Sequence, residues 1–404
     1  MLQSVTIRLP STPDGKLALA VPAAPEVFPA AGGRVGEIVI RGRRLELTPV
    51  FDTYWRFAAA RQALYDARLR GQRPPWTRDP ILAAHRFTNC YRAADRVSQF
   101  LITQVIYRGD QSWREVFFRT ILFKIFNRIS TWRLLVGEIG EVTWSGYDFA
   151  RLNAILQARL DAGDRLYAAA YIMPPPRLGE ARKHANHLRL IELMMSDGAP
   201  EKVAGAASMK EAFEVLAGYP GMGSFLAYQY LIDLNYAIGL DFSEMDFVVP
   251  GPGARDGIRK CFGPAAAGIE ADVIRYMADA QEAQFARLGL DFGGLHGRRL
   301  QLIDCQNLFC EVDKYARVAH PEIMGISGRT RIKQVYRRDS APLTAWFPPK
   351  WGLNGTVPPE DTESAGLRQA VPGPGGPNHS ECVGQSALFD CVPLQAASAG
   401  PDSQ

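Results

Sequence analysis

Three clusters of polar residues carry the chemistry this chain could perform. The first is Asp246, with Asp241 and Glu244 beside it in "LDFSEMDFVVPGPGARDGIRKCF". The second is "FTNCYRAADRVSQFLI", which holds Asn89, Arg92, Asp95, Arg96 and Gln99. Read as one helix, it puts Arg92 with Arg96, and Asp95 with Gln99, on shared faces four residues apart. The third is "LIDCQNLFCEVDKYARV", in which Asp304, Gln306, Asn307, Glu311, Asp313 and Lys314 interrupt apolar helical positions. Asn307, Glu311 and Lys314 fall at i, i+4 and i+7, so an amide, a carboxylate and an ammonium share one stripe. Such a stripe suits a base edge, an amine or a proton transfer. The plainer reading of each cluster is a solvated face with internal ion pairs, Asp95 with Arg92 and Glu311 with Lys314.

The elements that must position these groups are helices. A glycine-rich turn, "YPGMG", separates "MKEAFEVLA" from "SFLAYQYLIDLNY". Gly221 and Gly223 can take positive φ or admit a close backbone neighbour. The helix starting at Ser224 presents unpaired amides that attract a phosphate. That is the pattern of a helix–hairpin–helix, which grips a DNA phosphate without reading sequence. A plain αα-hairpin turn is the equal alternative. In DNA glycosylases built on this hairpin, an aspartate follows the second glycine by about twenty residues, at the start of the next helix, and faces an everted nucleotide. Asp246 lies twenty-three after Gly223. Phe225 stands where lyase-type glycosylases carry a Schiff-base lysine, so abasic-lyase chemistry is not expected.

Charge is uneven along the chain. Between Tyr54 and Arg133 there are fifteen Lys or Arg and five Asp or Glu, a balance of +10; with a net charge of +4 the rest sums to −6. Arg56, Arg92 and Arg96 lie in that basic stretch. A second basic run, "GISGRTRIKQVYRR", offers Arg329, Arg331, Lys333, Arg337 and Arg338 as a strand or loop able to track a phosphate backbone. Guanidinium suits phosphate, although the codon bias of a GC-rich genome is the plainer reading of the roughly fourfold excess of Arg over Lys. Six scattered cysteines form no CxxC pair, which argues against zinc ribbons and four-cysteine iron–sulfur sites. They fit a reducing, cytoplasmic setting. No long apolar run suggests a membrane span, and the start of the chain lacks the features of a signal peptide.

The whole reads as mainly α. Residues 1–50 alternate in short strand-like pieces and form a small β-rich appendage. Residues 51–347 form one large helical domain, with helical pattern running from "TYWRFAAARQALYDARLR" through "DPILAAHRF", "TNCYRAADRVSQFLITQVIY" and "DRLYAAAYIM" to "RLQLIDCQNLFCEVDKYARVA". Residues 348–404, rich in Pro, Gly and Ser, form a disordered tail.

"YWRFAAARQALY", "PPWTRDPIL", "FTNCYRAADRVSQFLI", "YPGMGSFLAYQ", the Asp246 segment and "DCQNLFCEVDKYAR", in that order, resemble the helical domain shared by 5-hydroxymethyluracil DNA kinases and the α-glutamyl/putrescinyl-thymine pyrophosphorylases. The resemblance covers roughly residues 50 to 340. It implies a glycosylase-like helix–hairpin–helix fold and a part in thymine hypermodification, chiefly of phage DNA. No GxxxxGK[ST] string occurs, which favours the transferase branch over the kinase. There a (pyro)phosphate on a 5-(phosphoryloxy)methyl-uracil in DNA is displaced by an amine or amino acid. Base excision, or a binding module for a separate 5-hydroxymethyluracil DNA kinase, are the alternatives. On this reading Asp246, Glu311, Asn307 and Lys314 are catalytic. Gly221, Gly223, Ser224, Arg56, Arg92, Arg96, Arg331 and Lys333 bind DNA or phosphate. Asn89, Asp304 and Gln306 line the base pocket. A monovalent or divalent cation at the hairpin is the one cofactor considered.

Overall fold

The computed structural model describes residues 36–337, 343–354 and 359. Much of the expected β-rich appendage, including "SVTIRLP" and "KLALAVP", lies outside them. What is described is one antiparallel hairpin, β1 (Glu37–Ile40) and β2 (Arg43–Glu46), in the register Ile38 to Leu45. It rests on the helical body through Arg43, which donates to the Ala267 carbonyl, and an Arg41–Asp272 ion pair.

The rest is helical. In chain order the helices are α1 (Pro49–Leu69), α2 (Pro80–Ala84), α3 (Arg96–Phe100), α4 (Trp113–Phe126), α5 (Ile129–Ile139), α6 (Phe149–Asp161) and α7 (Lys183–Ser196). Then follow α8 (Ala199–Ala204), α9 (Met209–Ala217), α10 (Ser224–Leu234), α11 (Pro252–Phe262), α12 (Glu270–Arg287) and α13 (Leu302–Ala319). Two groups form around two buried helices. Around α13 pack α1, α11 and α12; around α4 pack α7, α8 and α10, with α9 laid on α8 and α10. No helix among the described residues is long and apolar enough to cross a membrane.

Local chemistry explains the boundaries. Thr48 caps α1 by accepting from the Val50 amide, and Pro49 opens the helix where no N–H is needed. Gln301 and Asp304 form a reciprocal capping box at the start of α13. α11 crosses α13 at Gly257, where a Cβ would stand 2.1 Å from the Phe309 carbonyl oxygen. Only glycine permits that approach.

The structure departs from the sequence reading in four places. Residues 87–106 are not one helix: an irregular stretch to Tyr91 leads to a 3₁₀ turn (Arg92–Ala94), extended backbone at Asp95, α3, and a π-helical stretch (Leu101–Ile106). Arg92 and Arg96 therefore do not share a helix face. "DRLYAAAYIM" is irregular. α11 forms in a Pro- and Gly-containing segment where the helical pattern is not legible. The packed chain also continues past Phe347. Residues Pro349–Trp351 form a 3₁₀ turn, Trp351 packs on Tyr236, and Lys350 donates to the Asn235 and Leu240 carbonyls. Most of the remaining expected tail lies outside the described residues.

Candidate nucleic-acid interface

α9, the turn 218–223 and α10 build the hairpin. α9 is fixed at its start by Ser208, whose hydroxyl accepts from the Glu211 amide. Gly221 adopts φ +81°, and a Cβ there would meet the Pro174 carbonyl at 3.1 Å. Gly223 has an ordinary φ of −63°, against the positive φ its residue type allows, and nothing lies within 4 Å of where its Cβ would be. It caps α10 without a side chain, so the first amides of that helix have no intrahelical acceptor. Pro220, Gly223 and Ser224 are exposed. The turn thus faces solvent with donors at its tip.

Asp246 is exposed too. It sits in a non-helical segment, five residues before Gly251 caps α11, and not at a helix start. That segment is tied to the hairpin. Phe247 packs on Phe213 of α9 and on Tyr228 of α10, at ring-centroid distances of 5.0 and 6.0 Å. Gly251 lies directly under the Phe225 ring, which a Cβ would approach to 2.5 Å. Arg275 holds the backbone by donating to the Met245 and Asp246 carbonyls. Of the neighbouring acids, Glu244 turns inward, buried beside Arg298 at 3.4 Å, and burial raises its carboxyl above the usual range. Asp241 is exposed.

The two other clusters meet inside the protein. Asp304, Asn307, Glu311 and Lys314 occupy one buried stripe of α13. Across it runs the stretch 88–92. Glu311 accepts from the Thr88 amide at 2.9 Å and Asp304 from the Arg92 amide at 2.9 Å, so the stripe fastens both ends. Between them Asp95 accepts from the Asn89 amide, Asn89 donates to the Ala94 carbonyl, and Arg61 donates to the Thr88 carbonyl and to Asn89. Lys314 pairs with Glu311 at 2.7 Å and lies over the Phe87 ring. The Glu311–Lys314 pair foreseen as a surface feature is therefore interior. The foreseen Asp95–Arg92 pair gives way to these backbone bonds. Burial lifts the carboxyls of Asp95 and Asp304 to about 7, against the lowering effect of the amides they accept from. The Gln306 Oε1 and Asn307 Nδ2 atoms are buried without a hydrogen-bond partner among the described residues.

Arg92 itself points inward. Its guanidinium donates to both oxygens of Asp233 at 2.9 Å, and Lys124 reaches the same carboxylate at 2.8 Å. All three side chains are at most 3% exposed. Burial lowers the Lys124 ammonium to about 8, offset in part by Asp233. Over this triad lies Tyr171, bonded to Arg92, with Lys124 4.5 Å above its ring. Tyr171 stacks on Phe225 of α10, 6.1 Å away and 11° from parallel.

Arg56 is half-buried on α1, and Arg96 is exposed. Arg331 and Lys333 are exposed on an irregular stretch tied to residues 84–86 by a bridge at Val335. The Arg331 carbonyl accepts from Arg317, near the end of α13. Burial, together with Glu244 and Asp304, raises the hydroxyl of Tyr228 on α10. Arg338 lies outside the described residues. Lys124, Asp233, Tyr171 and Phe225 were missed as a unit. The available signal was a lone lysine in "VFFRTILFKIF" and a lone aspartate in "AYQYLIDLNY", opposite charges on apolar helices.

Residues 48–325 match the family model described as the helical domain of 5-hmdU DNA kinase. The chain belongs to that family. The expected resemblance over roughly 50–340 agrees with this span. A 5-hmdU DNA kinase of Bacillus phage SP10 is 27% identical over 286 residues, covering 66% of this chain and 45% of that protein. The chain thus spans under half the length of that family relative. No solved structure matches the chain. Among the described residues of this family member, no group of three or more His, Cys, Asp or Glu is placed to hold a metal ion.

Proposed function

We propose that this chain modifies a thymine-derived base in duplex DNA, gripping one strand with the 220–224 turn and working on an everted 5-(phosphoryloxy)methyl-uracil. The observation that carries the proposal is the exposed Asp246 segment packed by Phe247 and Gly251 against the same hairpin whose turn is open to solvent. Membership of the 5-hmdU DNA kinase helical-domain family supports the substrate class. The reaction is displacement. The amine nitrogen forms a bond to the exocyclic methylene carbon, the carbon–oxygen bond breaks, and its electron pair leaves with the (pyro)phosphate. Asp246 takes a proton from the substrate ammonium, freeing the amine lone pair that attacks. Amides at the start of α10 hold phosphate. The inward-facing Glu311 and Asp304 serve this reading by fixing the Thr88 and Arg92 amides, Lys314 by pairing with Glu311, and Arg92 by bonding Asp233 of α10 and Tyr171; Asn307 and Gln306 stand on the same helix with open polar atoms.

The test is incubation with duplex DNA carrying phosphorylated 5-hydroxymethyluracil and a mixture of amines and amino acids, then digestion to nucleosides and mass spectrometry. A new amine-bearing nucleoside is expected. Release of free base would make the protein a glycosylase. An unchanged duplex would make it a binding module for a separate 5-hydroxymethyluracil kinase.

A further inference from the structure

Beside the hairpin turn runs the segment Tyr171–Pro176, which no element of the proposed chemistry uses. Its side chains alternate. Tyr171 and Met173 are buried, whereas Ile172 between them is 51% exposed. Tyr171 holds φ +55°, a left-handed conformation that an aromatic residue adopts only when its surroundings impose it. Here they do: Arg92 bonds its hydroxyl, Lys124 and Arg92 lie over its ring, and Phe225 stacks on it. Beyond Ile172, Met173 is wholly buried and accepts from the Tyr230 hydroxyl. The Pro174 carbonyl is held by His187 and stands 3.1 Å from where a Gly221 Cβ would be. A single exposed aliphatic residue is ordinary. A β-branched one clamped on both sides, by a strained residue and by the floor of a turn with open amides, is not.

We infer that Ile172 is a wedge that enters the base stack of duplex DNA when the 220–224 turn holds the neighbouring phosphate. Apolar side chains inserted at a base step unstack it and kink the duplex, and an extruded base needs its place in the stack filled. A stiff side chain on an immobile backbone suits that task, because little rotamer freedom remains to be lost on insertion. The buried charges under Tyr171 thereby acquire a role: they keep the wedge from retreating. This inference rests on the DNA-binding reading above but not on the displacement chemistry.

The experiment uses the full chain and a duplex containing 5-hydroxymethyluracil with 2-aminopurine at the adjacent position. Binding is followed by fluorescence anisotropy, and unstacking by 2-aminopurine emission. The parent should bind with steep salt dependence and raise the emission. Ile172→Ala should keep its thermal midpoint and its salt-dependent binding while losing the emission rise, and Ile172→Met should restore it. Emission that rises equally in Ile172→Ala, or a parent that binds without any rise, overturns the wedge and leaves DNA binding standing. A parent that shows no salt-dependent binding overturns both.

Discussion

Replacing Asp233 by Asn tests how the interior beneath the hairpin is held. Asp233 faces two cations, Arg92 at 2.9 Å and Lys124 at 2.8 Å, and none of the three side chains is more than 3% exposed. Asn keeps the shape and one acceptor oxygen but removes the charge. Two buried cations then lose their counter-charge, a class of change that costs about 3–5 kcal/mol. For a domain of this size that lowers the melting midpoint by roughly 10 °C. The loss should depend on pH. Lys124 titrates near 8 in the folded parent, below the value of about 10.4 for an exposed lysine. The unfolded chain therefore holds more protons between those values, and the parent gains stability as pH rises through the window. In Asp233→Asn the lysine has lost its partner and sheds its proton at still lower pH. At pH 9 Lys124 is mostly neutral in both proteins, and the difference between them reflects Arg92 alone. Urea titrations at pH 6 and pH 9 measure this. The deficit should be several kcal/mol at pH 6 and distinctly smaller at pH 9. A deficit below about 1 kcal/mol at pH 6 is the range of an exposed pair and would refute the reasoning. It would return Arg92 to the phosphate-binding role that its position in the sequence suggested.

Other outcomes follow from single sites. Asp304 has a folded value near 7, above the unfolded value of about 3.9, so its contribution is present at low pH and is lost as pH rises to 7, by up to about 4 kcal/mol; Asp304→Asn should flatten the decline in stability between pH 4 and 7. Gly257→Ala forces a Cβ into the Phe309 backbone and should destabilise by about 3 kcal/mol or more in urea titrations, whereas Gly223→Ala meets nothing and has an ordinary φ. Gly223→Ala should therefore keep its stability within about 0.5 kcal/mol but weaken duplex binding about tenfold, near 1.4 kcal/mol, by fending off the phosphate. Asp246→Asn, at an exposed position, should melt like the parent and form no amine-bearing nucleoside; full activity in that variant would remove Asp246 from the chemistry.

Helical periodicity made α9, α10 and α13 legible, and the glycines between α9 and α10 marked the turn. The polar stripe of α13 was legible as a stripe, but not its direction. An i, i+4, i+7 pattern says which residues share a face, and nothing in it says whether water or another segment covers that face. Here the covering segment is 88–92, some 220 residues away in sequence. The same limit hid Asp233, which meets Arg92 across 141 residues. Residues 87–95 misled for a local reason. Asn89 and Asp95 bond backbone groups within the stretch, giving it an alternative to helix that periodicity does not register. In α11, Pro and Gly interrupt the helical pattern. Pro252 is tolerated at the helix start, and Gly257 is there for the crossing with α13.

The hairpin is physically continuous with the deep polar stripe. Phe225 at the start of α10 stacks on Tyr171, Tyr171 is bonded to Arg92, and the Arg92 amide is fixed by Asp304 on α13. Phe225 also lies on Gly251, the cap of α11, and α11 is locked to α13 at Gly257. Two routes therefore lead from the exposed turn to the same helix, one charged and one packed by close backbone contact. A turn on a lone αα-hairpin needs neither. Burying an ion triad and partly protonated carboxyls is a poor way to gain stability, since apolar residues of equal volume do as well or better. What such a network does supply is one fixed geometry. That is the requirement of a surface on which a phosphate grip, a wedge and a carboxylate must keep their spacing while a base leaves the stack.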